Sequence, residues 1–75
     1  MSTISKDTRM ITIKGAREHL EQIAMLAHDP EYAHIEEDKL HRTVLRAIAG
    51  GSPDAVELAG IALQTRNVVF PRWYA

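Results

Sequence analysis

The middle of the chain, residues 35–51, carries its charges in the order that stabilises an α-helix. Acidic side chains crowd its start, basic side chains follow, and the pair Gly50–Gly51 ends it. Carboxylates favour the positive end of the helix dipole and cations its negative end, so this order predicts a helix. Apolar residues at helical spacing around Leu40 give the helix one buried face, and the glycines supply a left-handed stop. The pattern indicates a fold and no particular chemistry.

Length and composition limit the classes of protein to which the chain can belong. Its 75 residues allow one domain, and the absence of cysteine excludes disulfides and thiolate zinc sites. Nine Lys and Arg nearly cancel ten Asp and Glu, so no strong field draws the whole chain to nucleic acid or an anionic membrane. No apolar run approaches the roughly 20 residues that span a bilayer, and residues 1–9 lack an apolar core, so we expect that they are not a signal peptide. We therefore expect a soluble cytoplasmic protein, either a monomer or an oligomer.

Two more helices and a short strand are predicted on either side of this central segment. Residues 1–8 are polar and predict a flexible N-terminus, with residues 9–75 forming a single helical domain. Residues 9–14 alternate between β-branched or apolar and polar side chains, which predicts a short strand. Residues 16–27 carry one apolar stripe at helical spacing and predict the first helix.

Capping residues predict where the second and third helices begin. Asp29 is a good N-cap and Pro30 is favoured at a first helical position, so the second helix begins at Pro30 or only near Ile35. Ser52 is predicted to cap the third helix, residues 53–65, which opens with a proline and an acid.

The third helix and the C-terminal tail hold more apolar surface than a small body easily buries. Residues 53–65 are apolar on more than one side, which indicates burial against a partner, a second copy or the tail. The tail contains Phe70, Trp73 and Tyr74, three of the chain's four aromatic residues. Leaving such side chains in water costs on the order of 2 kcal/mol each, so the tail is either core or interface. The predicted fold is mainly α: a small three-helix domain with a short N-terminal β-strand and a packed aromatic C-terminal tail.

One group of side chains on the second helix is a candidate metal or catalytic site. His34, Asp38 and His41 follow one edge of the helix at spacings of four and three residues. An imidazole and a carboxylate one turn apart can share a metal, but the two histidines are about 10 Å apart along the axis. The favoured interpretation is local pairing of the histidines with Asp38 and Glu37. No phosphate-binding glycine loop or nucleophile elbow occurs either, so we predict no enzyme, no metal and no cofactor.

The first functional hypothesis is a non-enzymatic module that binds another protein. Aromatic residues and arginine dominate the energetics of interfaces, and the tail is rich in both. A methionine of the first helix joins them as a candidate because it lies well off the apolar stripe. The candidate partner-binding residues are Phe70, Arg72, Trp73, Tyr74 and Met25.

The alternative hypothesis is a dimeric DNA-binding regulator of the ribbon-helix-helix type. A strand followed by two helices is the element order of that motif, in which paired strands enter the major groove. Met10, Thr12 and Lys14 would then face the bases. The slightly negative net charge and the long turn between the first two helices count against this reading.

The second half of the chain resembles a group of small bacterial and phage-associated proteins that has no assigned activity. The resemblance is carried by residues 37–51, by residues 53–65 and above all by the ending Phe70-x-Arg72-Trp73. It implies a phage or prophage accessory protein that binds and modulates a host protein, and it implies no catalytic residues.

Overall fold

The structure is a computed structural model, and it describes residues 10–71. This part of the chain forms three α-helices: α1, Ile13–Met25; α2, Pro30–Ala49; and α3, Ala55–Leu63. A short 3₁₀ helix, Gln64–Asn67, continues directly from α3. Residues 10–71 contain no strand, which confirms the mainly helical class. None of the helices found there is both long and apolar enough to cross a membrane.

The first helix begins inside the predicted strand. Thr12 is its N-cap, and the Thr12 hydroxyl accepts a hydrogen bond of 3.0 Å from the backbone N–H of Gly15. Such a cap satisfies one of the free N–H groups of a helix start and contributes about 1 kcal/mol. The strand is therefore wrong for Ile13 and Lys14, which lie in the first turn of α1. Met10 has no regular structure, and Arg9 lies outside the described residues.

The second helix uses the earlier of its two predicted starts and ends at the predicted glycines. The Asp29 side chain accepts from the N–H of Tyr32 at 3.4 Å, and Pro30 occupies the first turn. At the other end only Gly51 has a positive φ, of 86°, whereas Gly50 is the C-cap with a φ of −82°. The two glycines thus have different roles, since Gly50 lies under the side chain of Met10. A Cβ atom at Gly50 would lie 2.6 Å from the Met10 methyl carbon.

The third helix begins two residues later than predicted. Its N-cap is Asp54, which makes no side-chain capping hydrogen bond, so the prediction of Ser52 as the cap is wrong. The Ser52 hydroxyl instead accepts from the N–H of Asp54 at 3.1 Å, which closes a local turn. Serine favours such turns as well as caps because its hydroxyl reaches backbone N–H groups in both.

The core lies where the three helices meet. Ile23, Leu40 and Leu58 supply the largest apolar side chains, one from each helix, and all three are fully buried. Phe70, from the segment after the 3₁₀ helix, closes the core and is 6% exposed. The remaining buried apolar residues are Ala16, Ala33, Val44, Ala47 and Ile61.

A polar contact also ties α1 to α2. His19 Nε2 donates to Glu36 Oε1 at 2.8 Å, and Lys39 Nζ lies 3.2 Å from the other carboxylate oxygen. The hydrogen bond from His19 is the main reason that the pKa of Glu36 lies below its ordinary value. Lys39 lowers that pKa further, while partial burial opposes the change.

Candidate functional site

A groove runs between α2 and α3 on the outer side of the molecule. Its volume is about 650 Å³. The two helices are joined by a short turn at Gly50–Gly51, and His41 contacts Ala62 and Thr65 far from that turn. The third helix therefore runs back along the second, and the groove lies along the antiparallel pair.

The floor and rim of one half of the groove are apolar. Small or buried side chains form the floor: Val44 from α2, and Ala59 and Ala62 from α3. Leu45 and Leu63 form the rim and are 63% and 67% exposed. The rim also includes Ile48. Val56 extends the rim beyond the groove, because Val56 lies on the same face of α3 two turns before Leu63 and is 88% exposed.

The other half of the groove is polar. His34 Nδ1 lies 3.7 Å from Glu37 Oε1, and His34 Nε2 lies 3.5 Å from Asp38 Oδ2. Glu37 is almost completely buried, whereas more than half of the Asp38 side chain is exposed. Arg66 lines the groove from the opposite side and forms no ion pair with any other residue between 10 and 71.

His41 holds the two helices together beneath the groove. Its Nε2 atom donates to the carbonyl oxygen of Ala62 at 3.0 Å and lies 3.0 Å from the hydroxyl of Thr65. That hydroxyl in turn donates to the same carbonyl at 3.0 Å, and Thr65 is fully buried. The three groups form a closed polar contact that fixes the distance between α2 and α3.

These contacts confirm part of the sequence interpretation of His34, Asp38 and His41. His34 pairs locally with Glu37 and Asp38, as predicted. His41 does not pair with Asp38, because its ring faces α3. Nowhere in residues 10–71 do three His, Asp or Glu side chains converge closely enough to hold a metal ion.

A second, smaller hollow lies where α1 meets the start of α2. It has a volume of about 320 Å³ and is lined by Met25 and Tyr32, among others. Met25 is 75% exposed, in agreement with its position off the apolar stripe. The candidate residue Met25 therefore lies in this smaller hollow and not in the groove.

Of the other predicted partner-binding residues, one is buried and three lie outside residues 10–71. Phe70 is a core residue with 6% exposure, so the folded chain offers little of it to a partner. Arg72, Trp73 and Tyr74 lie outside the described residues, and their roles stay predictions.

The residues of the DNA-binding alternative do not share a strand. Thr12 caps α1 and Lys14 lies within its first turn. Met10 places the end of its side chain over Gly50, at the far end of α2. Thr12 and Lys14 are exposed, and Met10 is 40% exposed.

The groove itself was not among the sequence-derived sites, although two signals for it were present. The third helix is apolar on more than one side, and Leu45 stands at the edge of the apolar stripe of α2. Which of these side chains stay exposed depends on the angle at which α3 packs against α2, and the periodicity of the sequence does not give this angle.

Comparisons with known proteins return no relative from which a function could be transferred. No family model matches the chain, and neither a curated protein nor a solved structure matches it.

Proposed function

We propose that the chain is a non-enzymatic interaction module that binds the apolar helical surface of a protein chain in the groove between α2 and α3. The observation that carries the proposal is the exposed apolar rim. Leu45 and Leu63 line a recess floored by small side chains, and Val56 lies on the same face of α3 as Leu63; all three are more than 60% exposed. Contiguous exposed apolar patches rimmed by polar residues mark interaction sites, whereas apolar residues exposed singly do not.

The shape of the groove favours a helix as the bound element. An open trough along two antiparallel helices matches the mode in which an amphipathic helix lays its apolar face into an apolar groove. The alanines of the floor permit close approach of a third helix, because helix axes pack 8–10 Å apart depending on the side chains between them.

The energetics of burying the rim support binding of modest strength. The exposed fractions of Leu45, Val56 and Leu63 together equal about two whole apolar side chains, worth roughly 3–6 kcal/mol on burial. A partner with a comparable apolar face contributes a similar amount. Association itself costs an estimated 4–15 kcal/mol, so a surplus remains only toward the lower end of that range.

The polar half of the groove supports recognition and not catalysis. His34 is engaged by two carboxylates, and the hydroxyl beside His41 belongs to Thr65 and donates to the carbonyl of Ala62, so it is not directed at a substrate. Thr65, the hydroxyl nearest to His41, is fully buried. The exposed charges Asp38 and Arg66 lie where they can orient a bound helix.

A host protein as partner, and a phage or prophage origin of the chain, stay predictions based on the resemblance of the C-terminal half. The ribbon-helix-helix alternative gains no support from the start of α1, where Thr12 and Lys14 have helix-start positions.

Affinity capture with matched variants tests the proposal. Leu63→Lys places a charge on the groove rim, and a lysine near the C-terminal end of a helix does not oppose its dipole. Met25→Lys alters the smaller hollow. Val69→Lys alters an apolar residue that is still more exposed, at 88%, and that lines neither the groove nor the hollow. The wild-type chain and all three variants are used as bait in bacterial lysate after circular dichroism confirms their folds. The captured protein is then purified and titrated against each bait.

The proposal predicts that Leu63→Lys abolishes binding of the purified partner, whereas Met25→Lys and Val69→Lys retain it. Binding that survives Leu63→Lys and is lost in Met25→Lys would transfer the function to the smaller hollow. Binding that depends on none of the three positions would remove the groove from consideration.

A further inference from the structure

We infer that the chain bound in the groove is a second copy of this protein, so that α2 and α3 of two copies form a symmetric four-helix arrangement. This inference rests on the proposed function, because it assumes that the groove is a docking surface. It adds the identity of the occupant.

The shape of the patch is suited to contact with itself. A symmetric dimer uses the same patch on both copies, so the patch must supply both the protruding and the receiving parts. Leu63 and Val56 form a ridge along α3, and Leu45 and Ile48 form a ridge along α2. The recess between the ridges is floored by small side chains and can receive a ridge from the second copy, as in ridge-into-groove packing of helices.

The charges of the patch also permit contact with itself. Its exposed charged residues are of opposite sign: the side chain of Asp38 is 56% exposed, and Arg66 has no ion pair among residues 10–71. A patch of one sign would repel its own copy, whereas a mixed patch can pair across the two copies. The net charge of −1 adds almost no long-range repulsion between copies.

The size of the patch determines how strong the dimer is. The patch spans residues 38–48 of α2 and residues 56–66 of α3 and the 3₁₀ helix, about 15 Å along each side. Two adjacent helices make it about 20 Å wide. This footprint is smaller than the roughly 800 Å² per partner that stable interfaces bury. The dimer is therefore weak and reversible, and its population depends on protein concentration.

Analytical ultracentrifugation of the full chain tests the inference. The samples are wild type, Leu63→Lys, Val56→Lys and the control Val69→Lys, measured from about 10 µM to about 1 mM, the range in which a small interface associates. Both rim residues are exposed, so their variants keep the fold. We expect the wild-type mass to rise from one chain toward two. Each rim variant should weaken dimerisation at least about tenfold, while Val69→Lys should stay within about twofold of wild type.

A spin label on a single introduced thiol tests the contact between the two copies independently. The chain has no cysteine, so Gln64→Cys introduces a single thiol beside the intact rim. The double variant Leu63→Ser/Gln64→Cys carries the same thiol beside an altered rim. A spin label on Gln64→Cys should show a short distance between copies that disappears in the double variant.

The possible outcomes separate this inference from the proposed function. A wild-type chain that remains monomeric up to the highest concentration overturns the inference, but loss of partner capture in Leu63→Lys would still uphold the groove as a docking site. A dimer that is unaffected by both rim variants also overturns the inference, since the contact then uses another face. If neither dimerisation nor capture responds to Leu63→Lys, the inference and the proposed function both fail.

Discussion

Replacement of Thr65 by valine tests whether a buried polar contact fixes α3 against α2. The Thr65 hydroxyl donates to the carbonyl oxygen of Ala62 at 3.0 Å and lies 3.0 Å from His41 Nε2. Thr65 is fully buried, so water cannot replace either contact. Valine has nearly the same shape as threonine, and the substitution therefore removes the hydroxyl without opening a cavity.

The expected loss of stability follows from the contacts that disappear and those that remain. Two hydrogen bonds are lost, each with a net contribution of about 0.5–1.5 kcal/mol. The Ala62 carbonyl keeps the N–H of His41, so no buried acceptor is left without a partner. Burial of a methyl group in place of the hydroxyl returns up to about 0.8 kcal/mol. These terms bound the fall in the free energy of unfolding between about 0.2 and 3 kcal/mol, and their central values place it at about 1–2 kcal/mol.

Urea denaturation followed by circular dichroism measures this change, and thermal unfolding should show a Tm lower by about 4–15 °C. Thr43→Val is the matched control, because the Thr43 hydroxyl donates to the carbonyl of Lys39 within the same helix in an exposed position. That variant should change the free energy of unfolding by less than about 0.5 kcal/mol. Equal losses in the two variants, or a more stable Thr65→Val, would refute the assignment of a structural role to the buried contact.

Two further predictions concern the other contacts of the core. Because its folded-state pKa is lowered, Glu36 adds stability above its ordinary pKa, and this contribution is lost as the pH falls through the folded-state pKa. Glu36→Gln should therefore flatten the acid side of a plot of unfolding free energy against pH, whereas the exposed Glu21→Gln should leave it unchanged. Phe70→Ala should lower the free energy of unfolding by about 3–5 kcal/mol, as for other buried phenylalanines. A loss below about 1 kcal/mol in urea denaturation would show that Phe70 is not a core residue.

The helices were predictable from the sequence to the extent that local signals specify them. The charge order and the capping pair Asp29–Pro30 specify α2, although the pattern left its start open between Pro30 and Ile35. The strand prediction is wrong for Ile13 and Lys14 because two β-branched residues in alternation are a short and ambiguous signal. The hydroxyl of Thr12 caps a helix at the same place, and the contacts of α1 with the core favour the helix.

The candidate site was less predictable because it depends on contacts between distant residues. The pairing of His34 with its neighbours is local and could be read from spacing. The contact of His41 with Thr65 joins residues on two elements, and nothing in either segment alone indicates it. The exposure of Leu45 and Leu63 likewise depends on the packing of α3, so the sequence indicated an excess of apolar residues but not their position.

The different roles of the two glycines after α2 have a consequence for the evolution of the chain. At Gly51 the backbone has a positive φ with open space around it, so the requirement is confined to that one position. At Gly50 a Cβ atom would come within 3.0 Å only of the flexible end of the Met10 side chain, 40 positions earlier in the sequence, and that end can move aside. In descendants of this protein, position 51 should therefore remain glycine, whereas position 50 should accept a small side chain together with a shift of the Met10 side chain.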